Sequence, residues 1–181
     1  MPENRRVQMT KKMLKDAILT LLETRGLEQI TVTDICRVAD VNRSTFYAHY
    51  ADARQLLREI EDDMLNHMPR LPVPYSNSQE QQSYKPLVEY LQYVQQNARM
   101  IRIMFVRRDD GAFFNRAVHA LMEAAGIAGD PDAFLMRYDC AYRLNGTIGI
   151  VREWIKDNFP ISAEELAKII WYRRINAQIE E

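Results

Sequence analysis

Asn42, Arg43, Ser44, Thr45, Tyr47 and His49 crowd six polar or aromatic side chains into eight positions. The chemistry such a row supports is recognition by hydrogen bonding. A guanidinium grips guanine in bidentate fashion, and hydroxyls and amides meet phosphate oxygens. Covalent chemistry has less to work with. There is no glycine-rich phosphate loop, no His-Glu-x-x-His and no nucleophile elbow. The three histidines, His49, His67 and His119, are far apart. A zinc or copper site drawn from His67, His119, Cys140 and carboxylates has no spacing that singles it out. The expectation is a protein that is not an enzyme and has no metal or cofactor.

The row needs a rigid support, and residues 33 to 50 predict one: two short helices joined by a tight turn. Thr33 is read as the N-cap of the first, with Asp34 adding negative charge where the helix dipole favours it. Asp40 and Val41 form the turn, aspartate tolerating the left-handed conformation better than most residues. Asn42 caps the second helix, about seven residues long at ~1.5 Å rise each. Ile35, Val38, Ala39, Val41 and Phe46 face inward, and Tyr47 points outward. Such a pair is either a small helical hairpin with a solvated polar face or a helix-turn-helix, whose second helix enters a major groove about 12 Å wide. Upstream, Thr10 is read as capping a helix through Leu14, Ala17, Ile18, Leu21 and Leu22, which Gly26 ends. Downstream, Asp52 caps a fourth helix with Leu56, Leu57, Ile60, Met64 and Leu65 on its apolar face.

The framework Ile18…Leu22…Gly26, Thr31-Val-Thr-Asp-Ile and Val41-Asn-Arg-Ser-Thr-Phe-Tyr-Ala-His-Tyr, followed by Leu56-Leu57, resembles the DNA-binding domain of the TetR family of transcriptional regulators. The resemblance covers roughly residues 8 to 60. It implies that Asn42, Arg43, Ser44 and Thr45 stand at base edges and flanking phosphates, with Tyr47 and His49 at the backbone. Thr33 falls where the family's second helix points its amino end at a phosphate. Two departures stand out. Asp40 replaces the glycine common at the turn, and Ala53 stands where many members carry a phosphate-binding lysine, leaving Arg54 as the substitute or that contact absent.

Charge narrows the partner. The chain has 24 Lys and Arg against 25 Asp and Glu, a formal net charge of −1. Residues 1 to 60 hold ten basic and eight acidic residues, too even for a non-specific polycation but sufficient for a reader with a few cations on one face. Arg5, Arg6, Lys11 and Lys12 are read as a basic tail, lying along phosphates or solvated. Two cysteines in separate helices predict no disulfide framework. Without an apolar leader or a run of about 18 apolar residues, the chain reads as a cytoplasmic protein with no membrane partner.

The expected fold class is all-α: a three-helix helix-turn-helix domain at 1–50, a linking helix at 51–68, and a helical bundle for ligand binding and dimerisation at 69–181. Pro69, Pro72 and Pro74, then the polar stretch Ser76 to Ser83, separate the halves. Gly111, Gly126 and Gly129 punctuate the second half. Pro131 opens a long helix reaching towards Phe159, and Ser162-Ala-Glu-Glu165 is a capping box for the last. Gly146 and Gly149, each costing about 1 kcal/mol inside a helix, suggest close approach of another helix or room for a ligand. Such glycines serve either an intramolecular core or a homodimer. The family dimerises through its last two helices, so the resemblance implies an interface at Gly146, Gly149, Trp154, Ile169 and Ile170.

A small-molecule effector is likewise implied by the resemblance. The candidate pocket residues are Tyr90, Tyr93, Phe105, Phe114, His119, Met122, Tyr138 and Tyr142, which serve equally well as plain core. The expected function is a dimeric repressor released from double-stranded operator DNA by a small molecule. The alternative is an interaction module or coactivator of the same shape that does not bind operator itself.

Overall fold

A computed structural model of the chain describes residues 5–69, 84–107, 112–124 and 134–176. Pro72, Pro74, the stretch from Ser76 to Ser83, Gly111, Gly126, Gly129 and Pro131 lie outside the described residues, as do the side chains of Phe114, Met122 and Cys140. The described residues are all-α, with no strand among them. The chain divides into two compact units, Met1–His67 and Met68–Glu181.

The first unit holds α1 (Arg5–Leu22), a 3-10 turn (Leu27–Gln29), α2 (Val32–Ala39), α3 (Arg43–Tyr47) and α4 (Ala53–His67). Helix α1 packs on α2 and α4, and α2 packs on α3. The core is built from Leu14, Ile18, Ile35, Phe46, Leu56 and Met64, all almost fully buried. Two expected boundaries shift. Helix α1 begins at Arg5, so Arg5, Arg6, Lys11 and Lys12 are helical, not a tail. Thr10 sits inside the helix, its hydroxyl bonded back to the Arg6 carbonyl. Gly26 is no left-handed stop: its φ is −68°, and it precedes the 3-10 turn. Helix α4 falls within the expected 51–68, starting two residues later and ending one earlier, and the Asp52 carboxylate accepts from the Gln55 amide at 2.8 Å.

The second unit contains α5 (Lys85–Gln96), α6 (Ala98–Arg102), a π-helical turn (Ile103–Arg107), α7 (Ala112–Ala124), α8 (Phe134–Lys156) and α9 (Ala163–Asn176). Helix α5 packs on α9, while α6 and the π turn pack on α8. Phe105 and Phe113 meet edge to face at 5.0 Å. The α9 capping box forms as its sequence predicts: the Ser162 amide donates to Glu165 at 2.8 Å and the Glu165 amide to the Ser162 hydroxyl at 3.2 Å. The Ser162 hydroxyl, which donates to the Glu165 carboxylate at 2.7 Å, and then the Ser162 amide hold that carboxyl below its usual range. No helix among the described residues is long and apolar enough to cross a membrane.

Candidate nucleic-acid interface

Helix α2 is fixed by Thr31, not Thr33. The Asp34 amide donates to the Thr31 hydroxyl at 3.1 Å, and the Thr31 amide donates to the Asp34 carboxylate at 3.2 Å. This reciprocal pair satisfies two backbone donors at the helix start. The Thr31 hydroxyl and amide, with Arg25 and Arg37 nearby, hold the Asp34 carboxyl below its usual range. Thr33 is thereby freed from capping and stands exposed in the first turn. Helix α2 ends at Asp40, whose φ of 53° and ψ of 47° are left-handed. That conformation makes the sharp turn into α3 without the glycine.

Asn42 then caps α3, and its carboxamide oxygen is fully engaged. It accepts from the Thr45 amide and the Thr45 hydroxyl, each at 2.8 Å, and from the Ser44 hydroxyl at 2.6 Å. With Oδ1 occupied, only the Nδ2 hydrogens of Asn42 face outward as donors. Helix α3 is five residues long, shorter than expected. Phe46 anchors it at 0% exposure, and its ring meets Tyr47 edge to face and lies against Tyr50. Asn42, Arg43, Ser44 and Tyr47 lie on the exposed side, with Thr45 and His49 partly buried.

Arg43 and Tyr47 form a pair one turn apart. The guanidinium donates to the Tyr47 hydroxyl at 3.3 Å and lies 5.8 Å from the ring centroid. The phenol accepts in this bond, so its own proton points elsewhere. Val38, expected inside, is 44% exposed. Arg54 donates at 2.6 Å to Glu28, and both are mostly solvent-exposed. Cys36 is free and buried, and burial pushes its thiol up. It is a core residue.

Residues expected in the second unit separate by face. Tyr90 and Phe105 border a small open cleft, together with Val94 and Ile101 from α5 and α6 and Arg152 from α8. Tyr93 is partly buried away from that lining. Tyr138 and Tyr142 are 65% and 77% exposed, which removes them from any pocket within the protomer. His119 is exposed as well, 3.4 Å from Glu123.

Trp154 is a correction of another kind. It is buried, and its indole Nε1 donates to the Ile161 carbonyl at 2.8 Å, so it belongs to the protomer core. Ile170 is core too, whereas Ile169 is open to solvent. A Cβ at Gly146 or Gly149 would meet nothing within 4 Å. These two glycines, Tyr138 and Tyr142 therefore share an uncovered face of α8. Tyr172, missed in the sequence, is exposed on α9 one turn beyond Ile169. Arg152 was missed as well. Its signal is a lone cation between Val151 and Trp154, beside Ile148 and Ile155.

Three comparisons bear on these geometries. Residues 14–60 match the model of the family described as bacterial regulatory proteins, tetR family. An uncharacterized HTH-type transcriptional regulator, YxbF of Bacillus subtilis (strain 168), is 23% identical over 182 residues, covering 94% of this chain. The chain spans 45% of that relative's length. Among solved structures, a TetR transcriptional regulator from Streptococcus agalactiae 2603V superposes with a TM-score of 0.67 at 25% identity, covering 94% of this chain and 96% of the other. The fatty acid degradation regulator FadR from Bacillus halodurans shares the fold, with a TM-score of 0.61 at 12% identity over 96% of each chain.

Proposed function

We propose that this chain, which belongs to the TetR family and is a DNA-binding transcriptional regulator with a helix-turn-helix domain, acts as a dimeric repressor that a small molecule releases from its operator. The observation that carries the DNA-reading role is the α3 surface. Asn42, Arg43, Ser44 and Tyr47 stand exposed on a helix pinned from beneath by the buried Phe46. Arg43 is the base reader, Tyr47 and His49 meet phosphates, and Thr33, Ser44 and Thr45 flank them. The dimer follows from the uncovered α8 face at Gly146 and Gly149 and from the little DNA that one short helix reads alone. The domain division proposed is a reader at 1–50, a linking helix at 51–68 and a regulatory body at 69–181. An effector bound in the body acts only through its difference in affinity between two states of the dimer. Effector and DNA therefore weaken each other by the same factor.

A gel-shift titration with the DNA flanking the chain's own gene tests the reading. Retarded complex that resists competitor DNA is expected. A second reading, a partner-acting regulator without operator binding, is favoured by the Arg54–Glu28 ion pair. Ala53 supplies no cation beside it. Under that reading, the same titration leaves every flanking fragment free.

A further inference from the structure

The cleft in the second unit has one feature that apolar packing leaves unexplained. Arg152 Nε is fully buried and has no hydrogen-bond partner among the described residues. A guanidinium does not deprotonate in proteins, so a buried N–H without an acceptor is costly. Among the described residues, none that lines the cleft carries a counter-charge: Tyr90, Val94, Ile101, Phe105 and Ile148 form most of the lining. The Tyr90 phenol is pushed above its ordinary range by burial, then by neighbouring Tyr93, and stays a neutral group. Phe105 reaches the cleft from the π-helical turn Ile103–Arg107, and such turns are frequent at functional sites.

We infer that this cleft binds a small monocarboxylate, with its carboxylate on the Arg152 guanidinium and its apolar body against Tyr90, Ile101 and Phe105. The inference rests on the ligand-regulated reading above and names the chemical class of its effector. The planar fork of an arginine matches a carboxylate, and the bond is charge-assisted. One cation balances one negative charge. A phosphate monoester, carrying about −1.5 to −2, would leave charge uncompensated among aliphatic walls. The closed space beside Nε has room for about one water-sized group, so a carboxylate oxygen fills it and the apolar body lies towards the open side.

Hexanoate and hexan-1-ol separate the carboxylate from its body. Calorimetry on the full chain without DNA should find hexanoate binding about tenfold or more tighter than the alcohol, the scale of one charge-assisted hydrogen bond. Arg152→Met, which keeps an apolar stem, should erase that ratio while the unliganded Tm stays level or rises. Equal binding of acid and alcohol, no hexanoate binding, or a ratio that survives Arg152→Met overturns the inference and points to an ordered water on Nε. Should Arg152→Met fail to fold, the wild-type ratio alone decides. Because no DNA is present, a carboxylate-selective cleft in a chain that ignores operator DNA would sink the regulator reading and leave this one standing. Operator binding without acid selectivity would do the reverse.

Discussion

Arg43 and Tyr47 are bonded to each other on the free α3 surface, yet their proposed tasks differ, and substitution separates them. Arg43→Ala should remove ~1–3 kcal/mol of discrimination between operator and mismatched DNA. Tyr47→Phe should weaken both alike, because a phosphate contact has no base information. Equal losses for Arg43→Ala on operator and random DNA would show that this arginine does not read bases. Asn42 yields a sharper test. Its Oδ1 holds three internal donors, which leaves it unable to accept from an adenine while it caps the helix. Asn42→Asp keeps an equally good cap but replaces the outward amide hydrogens with a carboxylate. Unchanged Tm with a marked loss of DNA affinity is expected. Affinity equal to wild type would place Asn42 outside the interface. The cap was legible because asparagine before a short helix has few other roles. Its saturation was not, since that depends on the Ser44 and Thr45 hydroxyls both turning onto the cap.

Helices α1 and α4 are joined by a carboxylate–ammonium cluster. Lys15 Nζ lies 2.8 Å from Glu59 and 2.6 Å from Asp63, with Lys11 3.7 Å from Glu59. The Tyr50 hydroxyl donates to Glu59 at 3.2 Å. Partial burial pushes the Glu59 carboxyl up, but the Lys15 hydrogen bond and charge, Lys11 and Tyr50 outweigh it and leave it low. A lowered carboxylate pKa stabilises the fold above its unfolded value of 4.5 and loses that contribution as pH falls below it. Wild type should therefore melt higher than Glu59→Gln at pH 7, with the gap closing below pH 4.5. A gap constant across that range would show that the cluster adds no pH-dependent stability. The left-handed Asp40 makes a second test at the same scale. Asp40→Gly should be nearly neutral, whereas Asp40→Val should cost about 1–2 kcal/mol by denaturant melting. An Asp40→Val protein as stable as wild type would mean the turn adopts another conformation. These elements were readable where a helix has one apolar face, as in α2 and α4. Helix α8 has apolar side chains on both faces, so periodicity could not tell core Trp154 from exposed Tyr142.

The two faces of α8 also decide how a dimer can be tested. Gly149 and Trp154 are five residues apart, which at 3.6 residues per turn sets them on different sides of the helix. One side is filled by the protomer's own core, where Trp154 meets Phe159 edge to face at 4.8 Å. The other presents Tyr138, Tyr142, Gly146 and Gly149 to solvent. A charge at Trp154 would thus disrupt the protomer itself, and lost assembly after Trp154→Asp would reveal nothing about an interface. Gly149→Leu is the clean variant. Within the protomer the new side chain enters open space, and replacing a helical glycine adds up to about 1 kcal/mol of helix preference. Circular dichroism and the unfolding transition at low concentration should therefore be intact or slightly firmer. If a second copy's helix packs against Gly146 and Gly149, the leucine blocks that approach. Light scattering should then give the monomer mass, and operator affinity should fall steeply as two half-sites lose their simultaneous contacts. A folded Gly149→Leu protein that still scatters as a dimer and binds operator as wild type would move the interface away from this face of α8.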